Sequence, residues 1–213
     1  MIEVIALKKV IKNKSILNIP NLVFKEGTIN GIVGKNGSGK STLLRIILDF
    51  EKPTSGNIFI DNEINHSTEA WKKKIGAYLD EDFLINFLSA DEYFELMFKL
   101  RGKDMTYYPE FISEMEAFFA DEIINQNKLI SLFSKGNRQK IGIAGALIGE
   151  VNTVIFDEPF SHLDSTAQEN LKLVLKERSK KNNLTVIMAS HNVSLFSDFF
   201  DNIIQLQNGE IVM

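Results

Sequence analysis

The sequence predicts an α/β fold with a mostly parallel core sheet, and three observations indicate it. A strand-like apolar run, Thr28 to Val33, leads through a glycine-rich loop into a helix-like run, Thr42 to Leu48. A second apolar run, Val154 to Phe156, ends in two acids, and a buried strand of a parallel sheet is apolar throughout. Residues 151–213 alternate between strand-like and helical segments, which is typical of a parallel sheet covered by helices.

The other elements are predicted in chain order. Residues 1–66 are rich in strand-like segments, residues 67–79 contain a short helix with Trp71 before a buried strand, and residues 84–148 lack strand signals. Helices are expected from Ala90 to Leu100, from Pro109 to Phe119 and from Arg138 to Ile148. Asp164 or Ser165 is expected to cap a helix that runs to Lys180, and Asn208-Gly209 predicts a hairpin.

The glycine-rich loop matches the phosphate-binding pattern of Gly, four residues, Gly, Lys and then Ser or Thr. Its glycines allow a tight backbone whose N–H groups face one anion, and the following helix directs its positive end to the same place. Lys40 adds a full positive charge for the outer phosphates, and the Ser41 hydroxyl is a hard oxygen ligand for Mg²⁺. The predicted phosphate-contacting residues are Gly34, Asn36, Gly37, Ser38, Gly39, Lys40, Ser41 and Thr42.

The two acids that end the second apolar strand have separate predicted roles. The carboxyl ends of parallel strands form the crevice in which such sheets bind ligands. Asp157 is therefore expected to hold Mg²⁺ through a water, and Glu158 is a candidate general base that polarises water for attack on a γ-phosphate. The alternative is two solvated acids before a proline turn, and the phosphate-binding loop makes that the weaker interpretation.

The segment from Leu132 to Lys140 resembles the signature loop of the ATP-binding cassette (ABC) family, commonly Leu-Ser-Gly-Gly-Gln before a basic helix. Ser134 and Gly136 match that pattern, whereas Lys135 replaces its first glycine. Further matches follow in the family's order. Ser161-His162-Leu163-Asp164 is similar to the D-loop, and His191, after the strand-like run Leu184 to Met188, is similar to the switch histidine.

The resemblance covers nearly the whole chain and implies a P-loop NTPase fold in a single domain over residues 1–213. An N-terminal antiparallel β part and an inserted α-helical subdomain would complete the parallel sheet. Residues 1–83 and 151–213 would form the nucleotide-binding core, and residues 84–150 would form the helical subdomain with the signature loop.

The resemblance also implies an ATPase that uses ATP and Mg²⁺. It implies a head-to-tail dimer with a second copy or a similar subunit, in which Ser134 and Gly136 act in trans on the partner's nucleotide. His191 would hold the γ-phosphate, and Asp164 would help to couple the two sites. A separate integral membrane permease would carry the cargo, with this chain peripheral on the cytoplasmic face of the cell membrane.

Two positions depart from the family pattern. The family usually has Gln where Asp80 follows a strand, contacting the metal and the attacking water; Asp80 can still bind Mg²⁺ or water but adds negative charge. The aromatic residue that stacks on adenine is also missing, because Val10 and Ile11 occupy that stretch. Adenine is then expected to rest on aliphatic surface.

Composition narrows the function classes. The net charge is −4, from 24 basic and 28 acidic residues, with no long basic block, so nucleic acid is not expected as a partner. No cysteine is present, which excludes a thiolate metal site. No apolar run reaches the roughly 18 residues of a membrane span.

Within the family, the signature variant favours an exporter or a drug or peptide resistance system. The alternatives are a soluble cassette ATPase of repair, translation or assembly, and a regulator that binds nucleotide without hydrolysis. Intact Glu158 and His191 speak against the regulator.

Overall fold

A computed structural model describes residues 1–191 and 197–212 of the chain. In chain order, its strands and α-helices are β1 (Ile2–Ile11), β2 (Lys14–Phe24), β3 (Ile29–Val33), α1 (Lys40–Ile47), β4 (Ser55–Ile60), β5 (Glu63–Ile64), β6 (Ile75–Tyr78), α2 (Ala90–Leu100), α3 (Tyr108–Phe119), α4 (Lys135–Ala146), β7 (Thr153–Asp157), α5 (Ser165–Asn182), β8 (Thr185–Ser190), β9 (Asn202–Gln207) and β10 (Glu210–Val212).

These strands form two sheets. The N-terminal sheet is antiparallel in the order β2-β1-β4-β5, and the central sheet has the order β10-β9-β3-β8-β7-β6. Every neighbouring pair of the central sheet is parallel except β9 and β10. The predicted α/β class, with its mostly parallel core sheet and N-terminal antiparallel part, is therefore confirmed.

Burial explains why the central strands read as continuous apolar runs. All five residues of β3 and all six of β8 are buried, because α1 packs on one face of the sheet while α4 and α5 pack on the other.

Tight turns connect the strands of two hairpins. Lys12 and Asn13 adopt left-handed φ angles of 48° and 63° between β1 and β2. Asn208 and Gly209 do the same in the predicted hairpin between β9 and β10, with φ of 49° and 83°.

Residues 84–150 contain no strand, and the helices α2, α3 and α4 lie there as expected. The Phe94 ring packs on Phe111 and Phe119, with ring centroids 5.8 and 5.6 Å apart. These rings belong to the same buried cluster as Val154 and Phe156 of β7, so the helical part shares one core with the sheet.

Three helix starts follow their sequence signals. Ser89 and Glu92 form a capping box on α2, the Ser134 hydroxyl accepts a hydrogen bond from the Asn137 N–H on α4, and the Asp164 carboxylate accepts one from the Ala167 N–H on α5. Helix α4 begins at Lys135 and ends at Ala146, so it lies about one turn earlier than predicted. The short helix at Trp71 is a single 3₁₀ turn, Ala70–Lys73.

Among the described residues, no helix is both long enough and apolar enough to cross a bilayer.

Candidate functional site

The register of the parallel strands brings the predicted site residues to one edge of the central sheet. Val33 pairs with Ser190, and Asp157 pairs with Ala189. Gly34, Glu158 and His191 each follow directly, so three separate chain segments leave the sheet side by side. Two backbone bonds fix them there: the Gly34 N–H donates to Ser190 O at 3.4 Å, and the Glu158 N–H donates to Ala189 O at 3.0 Å.

The phosphate-binding loop folds around the Lys40 side chain. The Lys40 ammonium is almost fully buried and donates to the carbonyls of Gly34 at 2.7 Å and Lys35 at 3.3 Å. An ammonium has three donors, so one stays available for an anion. Gly39 is required here, because its φ is 107° and a Cβ would lie 2.6 Å from Leu17 Cδ2. The loop is thus shaped for an anion before one arrives.

Asp157 and Ser41 form the candidate Mg²⁺ pair. Burial raises the pKa of the Asp157 carboxyl, the hydrogen bond from the Ser41 hydroxyl lowers it, and the charge of Glu158 raises it again. Both side chains offer hard oxygen ligands in mutual contact, which suits an ion that binds one or two protein oxygens beside phosphate oxygens and waters. Within the described residues, no group of three or more His, Cys, Asp or Glu side chains is placed to hold a metal ion.

Glu158 is held in a strained backbone conformation. Its φ of 50° lies in the left-handed region, which costs a residue with a side chain about 1–3 kcal/mol unless its surroundings enforce it. Its carbonyl accepts hydrogen bonds from Ser161 N at 3.0 Å, Ser161 Oγ at 2.8 Å and Gln139 Nε2 at 2.9 Å. Its carboxylate meets His191, with 2.8 Å between Oε1 and Nδ1. Of the four predicted catalytic residues (Lys40, Asp80, Glu158 and His191), Glu158 and His191 are therefore in direct contact.

Asp80 lines the same cavity as the phosphate-binding loop, and its carboxylate already has two hydrogen-bond or ion-pair partners. Its Oδ1 accepts the Asp82 N–H at 3.0 Å and so caps the turn that follows β6, and its Oδ2 lies 3.5 Å from the Arg45 guanidinium of α1. Arg45 supplies a positive charge where this chain has an acid in place of the family's glutamine. The pair is about half exposed, so its contribution to stability is small.

Only part of the signature-like segment, Leu132 to Lys140, lines the cavity that contains the phosphate-binding loop. Lys135 lines the cavity, and Glu81 pairs with Arg138 at 2.6 Å and with Lys135 at 3.6 Å. Ser134 and Gly136 are not among the residues that line this cavity in the described chain. Gly136 packs so closely on the D-loop-like segment that a Cβ would lie 2.6 Å from His162 O.

One cavity of about 620 Å³ connects most of the predicted residues. Its lining includes phosphate-loop residues, the acid that ends β7 and the acid that follows it, the turn after β6 and the tip of the β1–β2 hairpin. These residues are Ile11, Lys14, Ile16, Asn36, Gly37, Gly39, Lys40, Ser41, Thr42, Tyr78, Leu79, Asp80, Glu81, Lys135, Gln139, Asp157, Glu158, Ser161 and His162. Gly34, Asn36, Gly37, Ser38 and His191 line an adjoining cavity on the other side of the phosphate loop. Asp164 serves as the cap of α5 and lines neither.

Sequence reasoning missed Gln139, Arg45, Glu81 and Arg138. Arg138 and Gln139 lie in the first turns of α4, where polar residues are common. Arg45 lies on α1 and, by sequence, is likewise an ordinary polar residue of a helix. Their roles depend on contacts across 19 to 57 residues of chain, as from Gln139 to Glu158 or from Glu81 to Arg138, and no local signal carries such contacts.

Comparisons with known proteins agree with this geometry. The family model described as "ABC transporter" matches residues 17–161. A second, shorter match, over residues 125–198, is to an AAA domain family. An ABC transporter ATP-binding protein of Methanocaldococcus jannaschii is 34% identical over 206 residues, covering 90% of this chain and 85% of the relative. The phosphonates import ATP-binding protein of Fusobacterium nucleatum is 30% identical over 235 residues, covering 99% and 92%.

Solved structures match over the whole chain. A dimeric structure of an ABC transporter cassette has a TM-score of 0.86 and 29% identity, covering 100% of this chain and 97% of that one. A dimeric cassette in a post-hydrolysis state bound to ADP and Pi has a TM-score of 0.81 and 31% identity, with the same coverage.

Asp157→Asn is expected to stabilise the ligand-free protein by about 0.5–2 kcal/mol, because the amide carries no charge to bury beside Glu158. The pKa of Asp157 is raised in the folded chain, so the unfolded carboxyl ionises first and wild-type stability falls as the pH rises through the raised pKa. The stability of Asp157→Asn should not fall over this pH range, because the amide does not ionise. Urea denaturation at about pH 4 and about pH 8 measures both effects, because the loss of stability begins at the ordinary carboxyl pKa of about 3.9.

Asp121→Asn is the matched control, because Asp121 is exposed and its left-handed φ of 58° is one that Asn tolerates. It should leave stability within about 0.5 kcal/mol of wild type. A lower urea midpoint for Asp157→Asn than for Asp121→Asn would contradict this account of the Asp157 charge.

Proposed function

This chain belongs to the ABC transporter family as an ATP-binding, ATP-hydrolysing subunit, and on that premise we propose how its residues bind ATP and Mg²⁺ and which partners it serves. The observation that carries the proposal is the meeting of the phosphate-binding loop, Asp157, Glu158 and His191 at the edge of one sheet. Each group has the chemistry that phosphoryl transfer to water requires.

The triphosphate binds where the loop amides and the positive end of α1 converge. The remaining Lys40 donor and the N–H groups from Gly37 to Thr42 stabilise negative charge on the transferred phosphoryl group. Ser41, Asp157 and Asp80 would hold the Mg²⁺ ion, which would supply positive charge against the phosphates.

Glu158 is the general base of the reaction. It takes a proton from water while the water oxygen bonds to the γ-phosphorus, and the bond from phosphorus to the bridging oxygen breaks to release ADP and phosphate. His191 lies 2.8 Å from the Glu158 carboxylate, and it would exchange that contact for a γ-phosphate oxygen. Gln139 and Ser161 are positioning residues that hold the Glu158 backbone.

The site is incomplete in a single chain. Ser134 and Gly136 line no wall of the cavity that holds their own phosphate loop, in the part of the chain described. A second copy in head-to-tail orientation brings them to the partner's nucleotide, and Asp164, next to that surface, couples the two sites. The dimeric cassette of similar fold supports this assembly.

An exposed aromatic segment favours a membrane permease as the other partner. Phe83 packs on Phe50 with 5.5 Å between ring centroids, and Phe87 is 76% exposed. Residues 86–88 are held beside residues 130–131 by backbone bonds of 2.7 and 3.1 Å, so the apolar surface is fixed rather than loose. Such a surface fits a helix of a partner. It favours a permease, with the chain peripheral on the cytoplasmic face, over a soluble repair, translation or assembly factor.

Transport direction is a separate matter. Of the two relatives described above, the one whose name states a direction is an import protein. Export of drugs or peptides, expected from the signature variant, stays a prediction.

Glu158→Gln is expected to keep ATP binding and to lower the rate of phosphate release at least 100-fold, because the amide cannot accept the proton of water. It should also accumulate a dimer in ATP and Mg²⁺, since the bound triphosphate is not cleared. Phosphate release and light scattering after size exclusion measure the two effects.

Glu150→Gln is its control, because Glu150 is exposed and pairs with Lys103 away from the cavity. It should match wild type. If Glu158→Gln released phosphate at the rate of Glu150→Gln, Glu158 would not be the base.

Phe87→Asp is expected to shift the chain from the membrane fraction of its native cells to the supernatant by about tenfold, since truncating an anchor residue at an interface costs more than about 1 kcal/mol. ATP hydrolysis by the isolated chain should be unchanged. Leu173→Asp on α5, where the residue is 60% exposed, is the control and should stay with the membranes. Equal membrane retention of both variants would remove Phe87 from the permease contact.

A further inference from the structure

A buried tyrosine at the end of β6 has a hydroxyl that the proposed mechanism does not use. Tyr78 is 2% exposed and lines the cavity that contains the phosphate-binding loop. Its hydroxyl oxygen is buried and has no hydrogen-bond partner among the described residues. A buried polar group without a partner lowers the stability of the folded chain and is rare in native structures. The Tyr78 hydroxyl therefore calls for an explanation.

The Tyr78 ring is fixed in place by helix α4. A Cβ on Gly142 of α4 would lie 2.6 Å from the ring carbon Cζ, which carries the hydroxyl. Gly76 of the same strand is packed as closely, because a Cβ there would overlap the Ala146 carbonyl oxygen. The strand β6 and the helix α4 thus touch backbone to backbone, and the ring cannot turn far without separating them. A partner for the hydroxyl has to come to it.

Two carboxylates and one guanidinium lie within electrostatic reach of the hydroxyl. Burial raises the pKa of the Tyr78 hydroxyl, and the charges of Glu81 and Asp80 raise it further. The charge of Arg138 lowers the same pKa. The Glu81 carboxylate already pairs with Arg138 at 2.6 Å and lies 3.6 Å from the Lys135 ammonium. Glu81 is therefore engaged with the start of α4, and Asp80 is the other acceptor.

The backbone places Asp80 on the same side of the chain as Tyr78. Tyr78 ends β6, and Asp80 follows two residues later with an extended backbone. Leu79, between them, packs in a different core cluster from Tyr78. Side chains alternate along an extended chain, so the side chains at 78 and 80 point to the same side.

The Asp80 carboxylate can accept a further hydrogen bond. It accepts the Asp82 N–H at 3.0 Å and lies 3.5 Å from the Arg45 guanidinium. An ionised carboxylate has about four lone-pair sites, so these two contacts leave others available. The residues that follow, Glu81–Phe83, form a single 3₁₀ turn with no buried side chain. A shift of Asp80 with this turn would therefore leave the core packing intact.

We propose that Tyr78 is a positioning residue of the nucleotide site, whose hydroxyl donates to the Asp80 carboxylate when a nucleoside triphosphate is bound and lacks a partner in the ligand-free chain. The inference rests on the proposed nucleotide site and adds a residue that acts through Asp80. The buried hydroxyl orients the carboxylate and does not touch the phosphates.

Electrostatics gives the reason for the new hydrogen bond. A triphosphate adds negative charge to a cavity that already contains the carboxylates of Asp80, Asp157 and Glu158. Like charges in one site repel one another, and a donor that bonds to one of them lowers the cost of bringing them together. Such a bond to an ionised group is charge-assisted, and low solvent access strengthens it. The ligand-free chain bears the cost of the unpaired hydroxyl in return.

The test uses Tyr78→Phe, which removes only the hydroxyl. The ligand-free variant should have a higher urea midpoint than wild type, because a buried polar group is removed and no hydrogen bond is lost. The same substitution should weaken ATP binding at least about tenfold, because a bond to a charged acceptor is lost in the bound state. Equilibrium dialysis with Mg²⁺ measures this affinity in a Glu158→Gln background, in which ATP is not consumed.

Tyr108→Phe is the matched control, because the Tyr108 hydroxyl donates to Asp91 Oδ1 at 2.9 Å and Tyr108 lines a different cavity. It should lower the urea midpoint and leave ATP affinity unchanged. A second comparison adds Asp80→Ala to the background. Tyr78→Phe should then have no further effect on ATP affinity, since the acceptor is absent. A tyrosine with a merely structural role would not show this dependence on Asp80.

Three results would overturn the inference. The first is a lower urea midpoint for ligand-free Tyr78→Phe, because the hydroxyl would then have a partner without nucleotide. The second is an ATP affinity that Tyr78→Phe leaves unchanged, and the third is an equal loss of affinity with and without the Asp80 carboxylate. Failure of the Glu158→Gln protein to retain any ATP would instead overturn the proposed nucleotide site itself.

Discussion

The parallel register of β3, β7 and β8 is the constraint on which the rest of the site depends. Pairing Val33 with Ser190 and Asp157 with Ala189 makes three chain segments leave the sheet at one edge. A helix start, a pair of adjacent acids and a histidine meet there from three segments that are distant from one another in sequence. A shift of one residue in β7 would turn Asp157 to the opposite face, away from Ser41. The chemistry is therefore a consequence of strand pairing.

The assembled site carries free-energy costs that a nucleotide and a metal ion would relieve under the proposed function. Asp157 is buried beside another acid, and Glu158 has a left-handed backbone enforced by the hydrogen bonds to its carbonyl. Lys40 is tied to the carbonyls of its own loop. Such preorganisation lowers stability but leaves little rearrangement for the reaction itself. The Asp80 carboxylate is also an acid in this site, and the Arg45 guanidinium 3.5 Å away balances part of its charge.

Local sequence patterns predicted the helices, the strands and the types of residue in the site. They did not predict contacts between residues that are distant in sequence. The phosphate loop, the apolar strands and the caps at Ser134 and Asp164 follow from short sequence signals, and the structure has them. Arg45–Asp80, Glu81–Arg138 and Gln139–Glu158 depend on how elements pack, since each side chain is an ordinary surface residue by sequence. The left-handed φ of Glu158 was likewise invisible, because the tertiary bonds that enforce it come from α4 and from the turn after Pro159.

The proposed function depends on the binding of a nucleoside triphosphate by the loop around Lys40. Equilibrium dialysis of the purified chain against labelled ATP with millimolar Mg²⁺ tests it most directly, with Lys40→Met as the comparison. The account predicts that wild type retains ATP and that the variant loses affinity at least about tenfold, since a charge-assisted phosphate contact is removed. Wild type that retains no ATP, or a variant that retains it equally well, would contradict the account.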